Sequence, residues 1–142
     1  MAKVGVQDQP HSEAKRELSG CCGFPRKALR LDDKRSLRLS RLFKALGDPA
    51  RLQILDILAQ RSGEVCVCDL EGIVGLPDEG TGERPKQPTI SHHLRVLREC
   101  GLIDSRKSGQ WVYYFLKGER LEDVRDCVEL LAEPAAKGGI SR

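Results

Sequence analysis

Four of the six cysteines in this chain fall in two close pairs, Cys21-Cys22 and Cys66-Val67-Cys68. Sulfur at such spacing can hold a soft ion or exchange disulfides, because thiolates select soft metals and metalloids over hard cations. Geometry limits how the second pair acts. Residues two apart lie about 200° apart around an α-helix but on the same side of an extended strand. Cys66 and Cys68 can therefore share one ion only where the chain leaves regular helix. If they straddle the start of a helix, its exposed amide N–H groups favour thiolate over thiol. Ligation would then distort that first turn and create a two-state element able to pass the event along the chain. Cys100 and Cys127 sit at the end of one predicted helix and inside another, and read as packing residues.

Composition frames this chemistry. The 142 residues suffice for one core, 32% of them are charged, and the net charge is only +3. An anionic partner must therefore meet a local basic patch rather than an overall field. No apolar run approaches the roughly 20 residues of a membrane span, and the N-terminus lacks the apolar stretch of a secretory signal. The expectation is a cytoplasmic protein with no membrane partner, whose cysteines are thiols or metal ligands rather than a disulfide framework. No nucleophile, base and orienting group recur at a catalytic spacing, and no Gly-rich phosphate loop is present, so an enzyme is not expected.

The elements that would position the sulfurs follow from periodicity. Residues 1–30 are polar, without sustained period, and read as a flexible arm carrying Cys21 and Cys22. Residues 31–133 form the predicted domain, and 134–142 a tail. From Asp32 to Leu46, Leu39, Leu42, Phe43 and Leu46 recur at helical spacing. Asp48-Pro49 is an N-cap followed by a first-turn proline, opening a second helix through Leu58 whose apolar residues run nearly all round, which places it centrally. Val65 to Val67 can start extended, and Cys68 to Val74 reads as a third helix ending near Gly75. The Gly-, Pro- and charge-rich stretch from Leu76 to Lys86 is an exposed loop. A fourth helix runs from Pro88 to Cys100, ended by Gly101, with Ile90, Leu94 and Leu97 on one face and Ser91, Arg95 and Arg98 on another. Ile103–Lys107 and Trp111–Leu116 flank Ser108-Gly109-Gln110 as a hairpin, and Leu121, Val124, Val128 and Leu131 mark a closing amphipathic helix. The fold class is mostly α with a small β-hairpin wing, an α+β winged helix-turn-helix.

That order suits duplex DNA. A helix fits the major groove, where side chains near its start reach base edges, and Gln87, Thr89, Ser91, His92 and Arg95 occupy those positions. Arg106, Lys107 and Gln110 at the hairpin tip can meet phosphates or the minor groove, adding affinity with little sequence information.

Three segments, Leu46-Gly47-Asp48-Pro49-Ala50-Arg51-Leu52, Gln87-Pro88-Thr89-Ile90-Ser91-His92-His93-Leu94 and Arg106-Lys107-Ser108-Gly109-Gln110-Trp111-Val112-Tyr113-Tyr114, resemble the ArsR/SmtB family of metal-responsive repressors in order and spacing. The resemblance implies a homodimer joined through the first and last helices, two reading helices on a near-palindromic operator, and repression of a resistance operon lifted when an ion binds. Glu64-Val65-Cys66-Val67-Cys68-Asp69-Leu70 is similar to the family's arsenite-type and cadmium/lead-type motif, which implies Cys66 and Cys68 as ligands. Some relatives carry a further cysteine after this run, where this chain has Glu71. A three-sulfur site for As(III) or Sb(III) then needs Cys21 or Cys22, and the segment from Cys22 to Asp32 can span at most roughly 33 Å. Engagement of both would give a four-sulfur Cd(II) or Pb(II) site, the alternative reading. A thiol redox-sensing repressor is a further alternative. No organic cofactor is expected. The zinc site that some relatives place on the last helix needs His ligands, and Glu119 to Glu133 contains none. His92 and His93 on the reading helix point to DNA contact or packing.

Overall fold

The computed structural model describes residues 26–61 and 65–133. The predicted arm with Cys21 and Cys22 and the predicted tail 134–142 lie outside the described residues, apart from the arm's last few. The chain divides into two units at Arg35 and Ser36. The described part of the first is a single 3-10 turn, Arg26–Ala28, and the opening of α1, where Asp32 Oδ1 accepts the Arg35 N–H at 2.7 Å.

Helix α1, Asp33–Leu46, buries Leu39, Leu42 and Ala45. Phe43, expected on the same stripe, is 39% exposed and Leu46 is half-buried. Positions 39, 42 and 45 or 46 share one helical face, and Phe43 lies one step round it, away from the core. Helix α2, Pro49–Gln60, opens as expected: Asp48 stays extended and its Oδ1 accepts the Arg51 N–H at 3.1 Å. Ala50, Ile54, Leu55 and Leu58 are buried, but Leu52 is 52% exposed, so α2 has one wet side where an apolar surround was expected. It packs on α4 and on the sheet.

Strand β1, Val65–Cys66, leads at once into helix α3, Val67–Leu70. The helix expected from Cys68 to Val74 is therefore shorter and begins one residue earlier. Glu71 leaves helical geometry with ψ 135, and Gly72 and Gly75 both take positive φ, which L side chains resist. Leu70 and Val74 are nonetheless fully buried, so the apolar pattern that suggested helix is satisfied by a turn.

Helix α4, Gln87–Glu99, buries Ile90, Leu94 and Leu97 completely, as its period requires. Gly101 at φ 75 ends it, with the Leu102 N–H returning to Leu97 O at 3.0 Å. Strands β2, Ile103–Ser108, and β3, Trp111–Leu116, pair antiparallel from Ile103↔Leu116 to Ser108↔Trp111. The turn is thus two residues, with Gly109 at φ 60 in the first position. Strand β1 adds to the other side of β3, with Val65 opposite Tyr114 and Cys66 opposite Tyr113, giving the order β1-β3-β2. Helix α5, Gly118–Ala132, is the last element among the described residues and buries Cys127. Among the described residues no helix is long and apolar enough to cross a membrane.

Candidate DNA interface and thiol pair

Every residue assigned to DNA lies on the surface. Gln87, Thr89, Ser91, His92 and Arg95 are exposed on α4, and Arg106, Lys107 and Gln110 are exposed on the hairpin. The buried stripe of Ile90, Leu94 and Leu97 fixes the roll of α4, so Ser91, His92 and Arg95 project away from the core, while Gln87 and Thr89 are exposed in its first turn. Arg95 Nη2 lies 3.1 Å from His92 Nδ1, which pre-orients both side chains. Arg98 Nη1 donates to Ser105 Oγ at 3.2 Å and ties the end of α4 to the hairpin. Between them, Ser91, Leu94, Arg95, Arg98, Glu99 and Tyr114 line an open cleft of about 410 Å³.

The excursion at 76–86 folds back on itself. Asp78 Oδ1 accepts from the Gly80 N–H at 2.9 Å and the Thr81 N–H at 2.8 Å, and these bonds hold its carboxyl below the usual carboxylate range. Its neck is closed at Gly75, whose N–H donates to Gln53 Oε1 on α2 at 2.6 Å and whose carbonyl accepts Arg84 Nη1 at 2.5 Å. A Cβ on Gly75 would collide with the Pro85 ring. The chain therefore leaves at Gly75 and returns at Pro85 beside it, so the excursion begins and ends at one point between α3 and α4.

The sulfur pair occupies the junction of β1 and α3. Cys66 is the N-cap, still extended at φ −87 and ψ 158, and Cys68 is in the first turn. This is the straddling arrangement considered from the spacing. Cys66 is buried, whereas Cys68 and Asp69 are exposed. Free thiols or ligands were expected here, but the structure joins Cys66 and Cys68 as a disulfide, their Cα atoms 5.4 Å apart. Their side chains converge because the backbone changes from strand to helix between them. The Cys68 N–H donates to Cys66 Sγ at 3.2 Å, and Asp69 Oδ2 accepts the Cys66 N–H at 3.0 Å, completing a reciprocal capping box. Both sulfurs and an Asp69 carboxylate oxygen lie within 4.8 Å of one another, a donor set of two soft atoms and one hard that could hold an ion once the disulfide is opened. Cys21 and Cys22, the assigned completing ligands, lie outside the described residues.

Asp69 had no role assigned from sequence, although an acidic residue three positions after a cap is itself a local signal. Gln53, Gly75 and Arg84 carried no such signal. Cys127 is buried and Cys100 half-buried, its thiol 3.9 Å from Arg41 O, in keeping with packing. His93 is half-buried against α2, so of its two anticipated roles it takes packing.

Comparison with known proteins identifies this arrangement. The family "Bacterial regulatory protein, arsR family" matches residues 85–105, which span the start of α4 to the first strand of the hairpin. An uncharacterized HTH-type transcriptional regulator of Methanocaldococcus jannaschii is 37% identical over 94 residues, 66% of this chain and 94% of that protein. The arsenical resistance operon repressor of Escherichia coli is 47% identical over 75 residues, covering 53% of this chain and 56% of the repressor. A cadmium resistance regulatory protein CadC homolog of Staphylococcus aureus is 36% identical, covering 61% of this chain and 63% of that protein. An ArsR-like transcriptional regulator from Rhodococcus has the same fold, with a TM-score of 0.57 at 24% identity over 70% of this chain and 82% of the other. These relatives are regulators of transcription rather than enzymes, and the chain belongs to the arsR family of winged helix-turn-helix, DNA-binding regulators.

Proposed function

We propose that this chain is a homodimeric transcriptional repressor that leaves its operator when Cys66 and Cys68, with a third thiolate from Cys21 or Cys22, capture As(III) or Sb(III). The observation that carries this reading is the meeting of two sulfurs at the entry to α3, one connection away from the reading helix. A thiol reductant first opens the Cys66–Cys68 disulfide, supplying two electrons and two protons and leaving two thiols. Each thiol then condenses with one hydroxyl of arsenous acid, its proton leaving with that hydroxyl as water, and a third thiol does the same. Held by one ion, the sulfurs constrain the α3 turn, and Gly75, tied to Gln53 and Arg84, carries the strain toward α4. Gln87, Thr89, Ser91, His92 and Arg95 read the operator, while Arg106, Lys107 and Gln110 hold its backbone. Leu37 and Phe43 on α1, and Val128 and Leu131 on α5, leave apolar surface exposed, which pairing of two copies through these helices would cover.

The relatives from E. coli and S. aureus, an arsenical resistance repressor and a cadmium resistance regulator, support both an arsenical and a cadmium inducer, and a four-sulfur site that engages both Cys21 and Cys22 would serve Cd(II) or Pb(II). The disulfide favours one further reading, in which oxidation of Cys66 and Cys68 is itself the signal. The deciding experiment is fluorescence anisotropy of operator DNA from upstream of the chain's own gene, with reduced protein, titrated in parallel with arsenite, antimonite, cadmium, lead and peroxide. Release by arsenite or antimonite at the lowest concentration, abolished in a Cys66→Ser/Cys68→Ser variant that still binds DNA, is the expected result. Full arsenite release by that variant would sink the reading.

A further inference from the structure

One guanidinium joins three helices at the back of the reading helix. Arg51, three residues into α2, donates Nε–H to Ala45 O at 2.5 Å and Nη2–H to Lys44 O at 3.4 Å, both at the end of α1. Its Nη1 lies 3.1 Å from His93 Nδ1 on α4. Asp48 Oδ1, which caps α2 by accepting the Arg51 backbone N–H, is 3.8 Å from the same imidazole nitrogen. The His93 side chain is 12% exposed, so the contacts at its Nδ1 are partly sheltered from water.

Guanidinium nitrogens only donate, so His93 Nδ1 must offer a lone pair and the ring proton sits on Nε2. Protonation reverses this. An Nδ1–H would face the Arg51 N–H, cation against cation, and Asp48 is the acceptor placed to receive it. One nitrogen thus has two partners of opposite polarity, one for each charge state. The other charged groups nearby are His92 on α4, and Arg41 and Lys44 on α1 with Glu99 on α4, which line the adjoining cleft beside Arg51 and His92. Burial, first, holds His93 below the ordinary histidine value of 6.5; Asp48 opposes this, and Arg51 and His92 reinforce it.

We propose that Arg51 and His93 are the positioning pair that sets the reading helix against α1 and α2, and that protonation of His93 transfers it from Arg51 to Asp48 and weakens operator binding. The inference rests on the DNA-binding reading above and adds to it a proton-sensitive joint remote from the cysteines. Its sign follows from the direction of the shift. The folded state favours neutral His93, so the contribution is fully present above the unfolded histidine value and is lost as pH falls through the lower folded one.

The test is operator anisotropy with the full, reduced chain between about pH 7.5 and about pH 5.5. Wild type is expected to bind roughly tenfold more weakly at the acid end, a coupling of ordinary size. His93→Gln keeps an oxygen that can accept from Arg51 but cannot titrate, so it binds like wild type at neutral pH and does not weaken on acidification. His92→Gln keeps the wild-type weakening, because the nitrogen with the two opposed partners belongs to His93. The proposal is overturned if His93→Gln weakens in acid as wild type does, or if His92→Gln removes the effect. Nitrogen-15 NMR of the wild-type imidazoles decides independently of whether any variant folds: an unprotonated His93 Nδ1 at neutral pH is expected, and a protonated one refutes the pair. Wild type that binds no operator at neutral pH would sink the proposed function, and the NMR tautomer would still decide this joint.

Discussion

The reading face and the thiol corner are built in opposite ways. Helix α4 runs 13 residues, with three fully buried side chains holding its roll, so its outward residues are placed by a regular element. Helix α3 has four residues, begins at a cysteine cap and ends in turns with two positive-φ glycines. A helix that short is not stable by itself. Its shape comes from the capping box, from Leu70 and Val74 in the core and from the pairing of β1 with β3. Under the proposed function, the long packed helix is the one that reads DNA and the short capped turn is the one that the ion would constrain.

The largest test of the contrast is Leu94→Ala, which opens a cavity under α4 and is expected to destabilise the fold by about 2–5 kcal/mol in urea unfolding. A loss under about 1 kcal/mol would mean that α4 is not anchored by its buried stripe. Next comes Gly75→Ala, where both the positive φ and the Pro85 ring oppose a side chain. A loss of about 1–3 kcal/mol is expected, with weaker operator binding because the neck of the excursion opens. Unchanged binding would show that the excursion does not help to position α4. Asp69→Ala removes half of the capping box and is expected to lower stability by about 1 kcal/mol. Amide exchange should quicken at Cys66 and across α3 and stay unchanged in α4. Faster exchange in both helices would erase the distinction drawn between them. The smallest effect on the fold belongs to Lys107→Gln, which should leave the unfolding midpoint unchanged while the salt slope of operator binding falls by about one. An unchanged slope would remove Lys107 from the phosphate contacts.

How much of this was legible differed by region. The second helix start was readable because Asp48-Pro49 is a local signal, and α4 because its buried positions repeat every three or four residues. The hairpin was readable to within one residue at its turn. Helix α3 was misjudged in length because Leu70 and Val74, four apart, fit a helix equally well as a turn whose far end is held by Gln53. Phe43 was misplaced for a related reason, since a period identifies a stripe but not its edge.

The sequence by itself determined the reading helix with its outward polar face, the caps, the wing and a cysteine spacing that excludes a shared ion within regular helix. Each of these depends on residues within about one or two turns of each other. Only the tertiary structure decided that β1 joins the sheet, that Gly75 closes the neck of the excursion between Gln53 and Arg84, and that Arg51 meets His93 across 42 residues of chain. Such partners are chosen by which faces pack together, and no local period records that choice.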